Sequence, residues 1–483
     1  MPSVNKQSLR EEFDRLKGEF ERLCSQEEMT PSTRALLQAV FMLFELMLAV
    51  FMEKTTNKTS LNSSKPSSQT DRDESALPHP GRKGKGKAER VQTSANSRTV
   101  ESITIAEVRA CEICGEDLTK TASHSHERRT KIDIVFETVV EHVEAQIKHC
   151  PNCHGTTKGR FPPDMPGPLQ YGNGIKAYVI NLLIGQMVAL NRVQKSMKAL
   201  IGAVISEASL LKFVFRLHEA LATWEAEAID QLLQNPTVHT DETSSRVAKQ
   251  NHWIHVYCAG DITLKFLHRQ RGKEAIESIN IIPRYGGAII HDCWSSYLSY
   301  DHCDHGLCGS HLLRELTFIV DSNGYAWAKN MKRLLQQSCQ KVSASKRKKL
   351  TAKAYANLQK RYRNILTRGE KELPPIPAKP KGRRGRIAKS DAHNLWERLQ
   401  LHEQAVLLFA KNANVSFTNN RAERDLRMSK VKQKVSGCFR NVDYAHAYCR
   451  ISSYLQTMAN KGHNPLIAIQ MAFNNEIAGS RGE

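Results

Sequence analysis

The run Ala288-Ile289-Ile290-His291-Asp292-Cys293-Trp294, preceded by Gly286-Gly287, decides how the middle of this chain reads. Its apolar residues follow one another without the alternation of a half-exposed strand. It therefore reads as a buried central strand with Asp292 at its carboxyl end, where ligands gather in sheets of this kind. Upstream, Val238-His239-Thr240-Asp241-Glu242-Thr243 follows Pro236 as a short extended run that reaches Asp241. Between the two, Trp253 to Cys258 and Ile262 to Leu267 alternate about Ala259-Gly260-Asp261 and read as a hairpin, and Gly272 to Ile279 reads as a helix.

Three strands, a helix and a fourth strand, with acids on the first and last, is the order of a ribonuclease-H-like sheet. A third acid, Glu423, lies just inside a downstream helix, because Asn419 and Asn420 are good N-caps and no Pro or Gly follows before Gly437. Oxygen-only ligands suit Mg²⁺ or Mn²⁺, and two such ions can stabilise the attacking and leaving oxygens of an in-line phosphodiester displacement. Spacing alone does not separate this from the plainer account, in which the carboxylates are solvated or cap helices, since the chain has 49 acidic residues.

With 483 residues the chain has room for several domains, and its 70 Lys and Arg exceed the 49 Asp and Glu by 21. Such an excess points to a polyanionic partner, nucleic acid before an anionic membrane surface. The N-terminus has charges from Arg10 onward and lacks the pattern of a secretion signal. Gln38 and Glu45 interrupt the apolar run Ala35 to Met52, which argues for a packing helix over a membrane span, so a cytoplasmic, nucleoid-associated protein is expected. Twelve cysteines then point to metal ligands and buried thiols before disulfides.

From the N-terminus, Leu9, Phe13, Leu16, Phe20 and Leu23 alternate at steps of four and three, the seam of a short coiled coil. The helix after Pro31 carries too much apolar surface to stand alone, and either packs within the chain or dimerises. From Thr55 to about Thr99 there is almost nothing apolar to bury, so this is a disordered linker with a basic cluster at residues 82–87. Cys111, Cys114, Cys150 and Cys153 form two CxxC knuckles that can aim four thiolates at one structural Zn²⁺, the alternative being four reduced thiols. Extended stretches such as Ile132-x-Ile134-x-Phe136 fit a ribbon filling the gap between them. Past the stiff boundary at residues 161–168, Tyr171 to Leu190 reads as one helix, Val193 to Leu200 as a second, and a third opens at Ser206. The arrangement fits a DNA-binding helix-turn-helix, or an ordinary helical connector.

The order of parts resembles the insertion-sequence-66 family of transposases, members of the superfamily with an Asp-Asp-Glu catalytic triad. The segment Asn419-Asn420-Arg421-Ala422-Glu423-Arg424-Asp425-Leu426-Arg427 carries most of the likeness, and Cys308-Gly309-Ser310-His311 and Asn394-Leu395-Trp396-Glu397-Arg398-Leu399 carry the rest. The resemblance implies a multidomain α/β protein: a ribonuclease-H-like catalytic core broken by a helical insertion. On that frame the chain divides into an N-terminal helical segment (1–54), a basic linker (55–100), a zinc-binding domain (101–165) and a helical DNA-binding region (166–230). The core (231–326 and 411–455), its insertion (327–410) and a C-terminal tail (456–483) follow.

Matched residue by residue, Asp241, Asp292 and Glu423 would be the catalytic, Mg²⁺-binding triad. Arg427, Lys430 and Lys434 fall on the helix face of Glu423 and would contact DNA phosphates, the plainer account being a solvated basic face. His239 and His291 flank the acids, with strand packing favoured over a role in positioning water or phosphate. Cys308 and His311 suggest either a structural contact or a second metal. The implied activity is metal-dependent cleavage at the inverted ends of the element, followed by attack of the freed 3′-hydroxyl on target DNA. Multimers and small accessory proteins of the same element are implied as partners. The competing readings are a non-catalytic zinc-containing DNA-binding regulator and a nuclease of the same fold that cuts without joining.

Overall fold

Leu9, Phe13, Leu16, Phe20 and Leu23 lie on helix α1 (Lys6–Ser25) of the computed structural model, which describes residues 6–25, 29–59, 61–63, 103–131, 137–202, 204–376 and 389–474. Helix α2 (Pro31–Thr55) starts at Thr30, whose hydroxyl accepts the Thr33 N–H, with Pro31 where a missing N–H costs nothing. Phe13 and Phe20 pack on Phe41, with ring centroids 6.1 and 4.9 Å apart, and Lys17 pairs with Glu45 at 3.0 Å. The two helices thus pair within the chain. By length and composition α2 could cross a membrane, yet Glu45 is tied to α1 by that ion pair. Leu36, Phe44 and Met47 stay exposed.

The described residues fall into two units, one drawn from 83–224 and 457–483, the other from 1–82 and 225–456. In the first, β1 (Ile147–His149) and β2 (Thr156–Lys158) form an antiparallel hairpin around Cys150 and Cys153. The ribbon expected around Ile132, Ile134 and Phe136 lies outside the described residues. The single helix expected from Tyr171 to Leu190 is broken: α3 (Asn173–Ile180) passes into a π-turn at Asn181–Gly185 and stops before α4 (Leu190–Ile201). The Gln186 N–H donates to the Asn181 carbonyl at 2.8 Å across five residues, and a Cβ at Gly185 would sit 2.6 Å from Asn181 Oδ1. A larger residue there would have to displace the Asn181 side chain. Helix α5 (Glu207–Ala220) begins at Ser206, whose hydroxyl accepts the Ser209 N–H at 3.1 Å.

The larger unit follows with α6 (Ala222–Leu233), β3 (Thr237–Val247), β4 (Gln250–Ala259), β5 (Ile262–His268), α7 (Lys273–Ile279), β6 (Ala288–His291), α8 (Ser295–Leu298) and β7 (Asp304–Leu307). The sheet order is β5-β4-β3-β6-β7; β3 runs antiparallel to β4 and parallel to β6. Two expectations need correcting. Asp241 lies mid-strand instead of at a strand end, because Ala248 and Lys249 both adopt positive φ (47° and 66°) and close a two-residue turn. That turn lets the polar stretch Ser244-Ser245-Arg246 go on pairing with β4. The fifth strand, β7, was not anticipated, since Asp304-His305-Gly306-Leu307 is short and polar.

Among the described residues of 309–411 there are five helices: α9 (Gly309–Asn323), α10 (Ala326–Ala344), α11 (Ala352–Glu370), α12 (Asp391–Leu401) and α13 (Glu403–Lys411). Leu316, Trp327, Met331, Tyr362, Trp396 and Leu407 build their shared core, which continues into Ile290 and Leu307 of the sheet. Within it the Tyr362 hydroxyl donates to the Leu399 carbonyl at 2.7 Å and the Trp396 indole to that of Leu366 at 2.9 Å. The basic loop of residues 380–386 lies outside the described residues.

Helix α14 (Asn420–Ser436) lies across β3 and β4 with Ala422, Asp425, Leu426 and Ser429 buried, one stripe at helical spacing. The Asp425 carboxylate fastens it by accepting from Thr263 Oγ1 at 2.7 Å and Cys258 Sγ at 3.3 Å. Helices α15 (Val442–Asn460) and α16 (Pro465–Phe473) are the last described elements; α16, in the stretch read as a tail, packs against α3 and α5 of the smaller unit.

Candidate active site

The parallel pairing of β3 with β6 sets Thr237, Val238 and His239 opposite Ala288, Ile289 and Ile290. Two residues beyond its last pair come Asp241 on one segment and Asp292 on the other. Residues two apart share a face of a strand, and neighbouring strands run about 4.8 Å apart. Continued by those two residues, the register carries both acids to the same end of the pairing. Burial pushes the Asp241 carboxyl up to about 8, helped by the charges of Glu242 and Asp292 and opposed by Lys430. Its Oδ1 accepts the Glu242 N–H at 2.9 Å.

Glu423 reaches this neighbourhood through Asn419. The Asn419 side chain donates to the Thr240 carbonyl at 2.7 Å and its Oδ1 lies 3.0 Å from His239 Nδ1. The Asn419 N–H donates to Cys308 Sγ at 3.2 Å, while its carbonyl accepts the Glu423 N–H at 3.3 Å. Asn419 holds the N-cap position of α14 as expected, but its side chain makes no cap bond because β3 takes it. One residue therefore joins β3 beside Asp241, the start of α9 and the first turn of α14.

Glu423 Oε1 is 3.6 Å from His311 Nδ1, and Oε2 is 4.0 Å from Arg314. Ligand atoms of Cys308, His311 and Glu423 all lie within 4.8 Å of one another. His311 lines a cleft of about 180 Å³ with Asp292, Trp294, Cys308, Glu315 and Arg398. Burial holds its imidazole below the usual range, while the charges of Glu423 and Asp292 pull it back up. The register thus carries Asp241 and Asp292 to one end of β3 and β6, Glu423 gathers with Cys308 and His311, and His311 shares a cleft with Asp292, while the three acids form no such close group with one another. Arg427, Lys430 and Lys434 are exposed on α14.

Several neighbours escaped the sequence reading. Glu242, buried next to Asp241, accepts from the Tyr297 hydroxyl at 2.8 Å and from Arg271 at 2.6 and 2.7 Å. Burial and Asp292 still push its carboxyl up. Arg271 in turn stacks between Trp294 and Trp253, 4.1 and 5.0 Å from their ring centroids. The signal for Trp294 was its place two residues after Asp292; nothing in sequence tied Arg271 to either. His291 is fully buried against His305 at 3.1 Å, and burial pushes its imidazole down to about 3. His239 is likewise shifted down by burial.

The buried carboxyl of Asp241 and the unpartnered Oε1 of Glu423 are oxygen donors of the kind that suits divalent cations, but the ligand atoms of Asp241, Asp292 and Glu423 are not gathered within 4.8 Å of one another. In the smaller unit each knuckle closes on itself: backbone N–H groups of Cys114 and Ile113 lower the Cys111 thiol, and those of Cys153 and Asn152 lower Cys150. Among the described residues the four knuckle sulfurs are not gathered as closely as the Cys308 group.

A sequence model of the family described as Transposase IS66 family matches residues 168–447, which is more than half of the chain and includes Asp241, Asp292 and Glu423. A search of curated proteins finds no match. With the family's model running from α3 through α14 and into α15, this chain belongs to the IS66 family of transposases.

Proposed function

We propose that this protein is the DNA transposase of a bacterial insertion sequence, with Asp241, Asp292 and Glu423 holding two Mg²⁺ or Mn²⁺ ions. The observation that carries this reading is the β3–β6 register, which brings two acids distant in sequence to one end of a parallel pair. The strand order, antiparallel through β5-β4-β3 and parallel through β3-β6-β7, supports a ribonuclease-H-like core. Bound ions would stabilise charge on the attacking and leaving oxygens of a phosphodiester. Asp241, Asp292 and Glu423 bind; Asn419 holds their segments in register; Lys430, with Arg427 and Lys434, neutralises phosphates flanking the scissile one. Cleavage at the inverted ends and joining by the freed 3′-hydroxyl complete the reaction.

The four knuckle cysteines bind one structural Zn²⁺, and α4 and α5 contact the ends of the element. The N-terminal helices support self-association, small accessory proteins of the element assist, and the protein works on nucleoid DNA in the cytoplasm. The excess of 21 positive charges supports DNA as partner. The test is Asp292→Asn in a strand-transfer assay on labelled ends: metal-dependent joining is lost while binding to end DNA persists. Unchanged joining rules out the site, and cutting without joining by the wild-type chain favours a nuclease.

A further inference from the structure

The side chains of His311 and Glu423 face each other at ion-pair distance with no hydrogen bond between them. His311 Nδ1 and Glu423 Oε1 are both shut off from solvent, and neither has a hydrogen-bond partner. At 3.6 Å they are too far apart to bond each other. Buried polar atoms are seldom left this way without an ion or water between them. Two donors on one ion at bonds of about 2.1 Å stand roughly 3.0–3.4 Å apart, so the gap is only slightly wider than a shared ion requires. Arg314 takes the other oxygen, Oε2, which leaves Oε1 turned to the imidazole. Cys308 Sγ is also near, but it is buried and already accepts the Asn419 N–H, which ties it to the joint between α9 and α14.

We propose that His311 supplies an imidazole nitrogen to the divalent ion held by Glu423, so that one of the two ion positions is a mixed nitrogen and oxygen site. This rests on the reading of Asp241, Asp292 and Glu423 as ligands, and adds a fourth protein ligand to it. His311 is fixed for the task by its place in the first turn of α9, one turn from the N-cap Cys308, and it faces the cleft that Asp292 lines. A nitrogen donor biases that position toward Mn²⁺ and later transition ions over Mg²⁺ and Ca²⁺.

The test uses the full-length, zinc-loaded chain with Mn²⁺ as probe and electron spin-echo envelope modulation as the readout, since a directly bound imidazole imprints ¹⁴N modulation on the Mn²⁺ signal. The expected result is ¹⁴N coupling in the wild type and its loss in His311→Gln, whose circular dichroism matches the wild type. Bound Mn²⁺ without nitrogen coupling, or coupling unchanged in His311→Gln, overturns the role of His311. If Asp241→Asn abolishes Mn²⁺ binding in that same case, the acid site survives and only the histidine ligand falls. A wild-type chain that binds no Mn²⁺ overturns both.

Discussion

Asn419 shows how much a single side chain can organise. Its amide spans β3 and its main chain spans α9 and α14, so Asn419→Ala should cost about 1–3 kcal/mol through the unmet Thr240 and His239 groups. Urea unfolding measures that cost, and joining activity should fall by more than stability alone explains, because the first turn of α14 loses its hold on β3. His255 on β4 makes a separate, pH-dependent contribution. Burial pushes its imidazole from 6.5 down to about 4, so between those values the unfolded chain takes up a proton that the folded one refuses. Its stabilisation is complete above pH 6.5 and fades as the pH falls through 4, an effect of about 3 kcal/mol. His255→Gln should therefore lose less stability than the wild type between pH 7 and pH 5, as read from urea midpoints.

At the scale of elements, α14 docks by one face and leaves cations exposed on another. Its buried stripe of Ala422, Asp425, Leu426 and Ser429 docks on the sheet, and this leaves Arg427, Lys430 and Lys434 exposed. If the exposed cations lie on DNA phosphates, replacing all three with alanine lowers the slope of log affinity against log salt by about 2.7. A slope that does not change would mean a solvated face. The helix periodicity was legible from the sequence, and so was the cap position at Asn419. The employment of that cap was not, since a strand 180 residues away captures its side chain. Likewise the π-turn after α3, closed by the Gln186 N–H on the Asn181 carbonyl, is a backbone choice that apolar periodicity does not encode.

Across the whole molecule, the N-terminal helix pair buries Phe20 but leaves Leu36, Phe44 and Met47 about 58–66% exposed, a concentration of apolar surface seldom left to solvent. Leu36→Ser with Met47→Ser should shift the full chain toward monomer in sedimentation velocity; an unchanged distribution would separate this face from self-association. The basic balance, the CxxC spacing and the first four strands of the five-stranded sheet could be read from the chain alone, because composition, turn chemistry and apolar patterning act over short spans. Local pattern also sufficed to put Glu423 in the first turn of a helix. Only the tertiary structure decided that β3 continues past Asp241, that β7 closes the sheet, that Arg271 meets Glu242, and that His311 confronts Glu423. The first depends on an adjacent positive-φ turn and the others on segments from about sixteen to more than a hundred residues apart, and which of them come together is decided by turn geometry, strand register and helix docking, which apolar pattern in a single segment does not carry.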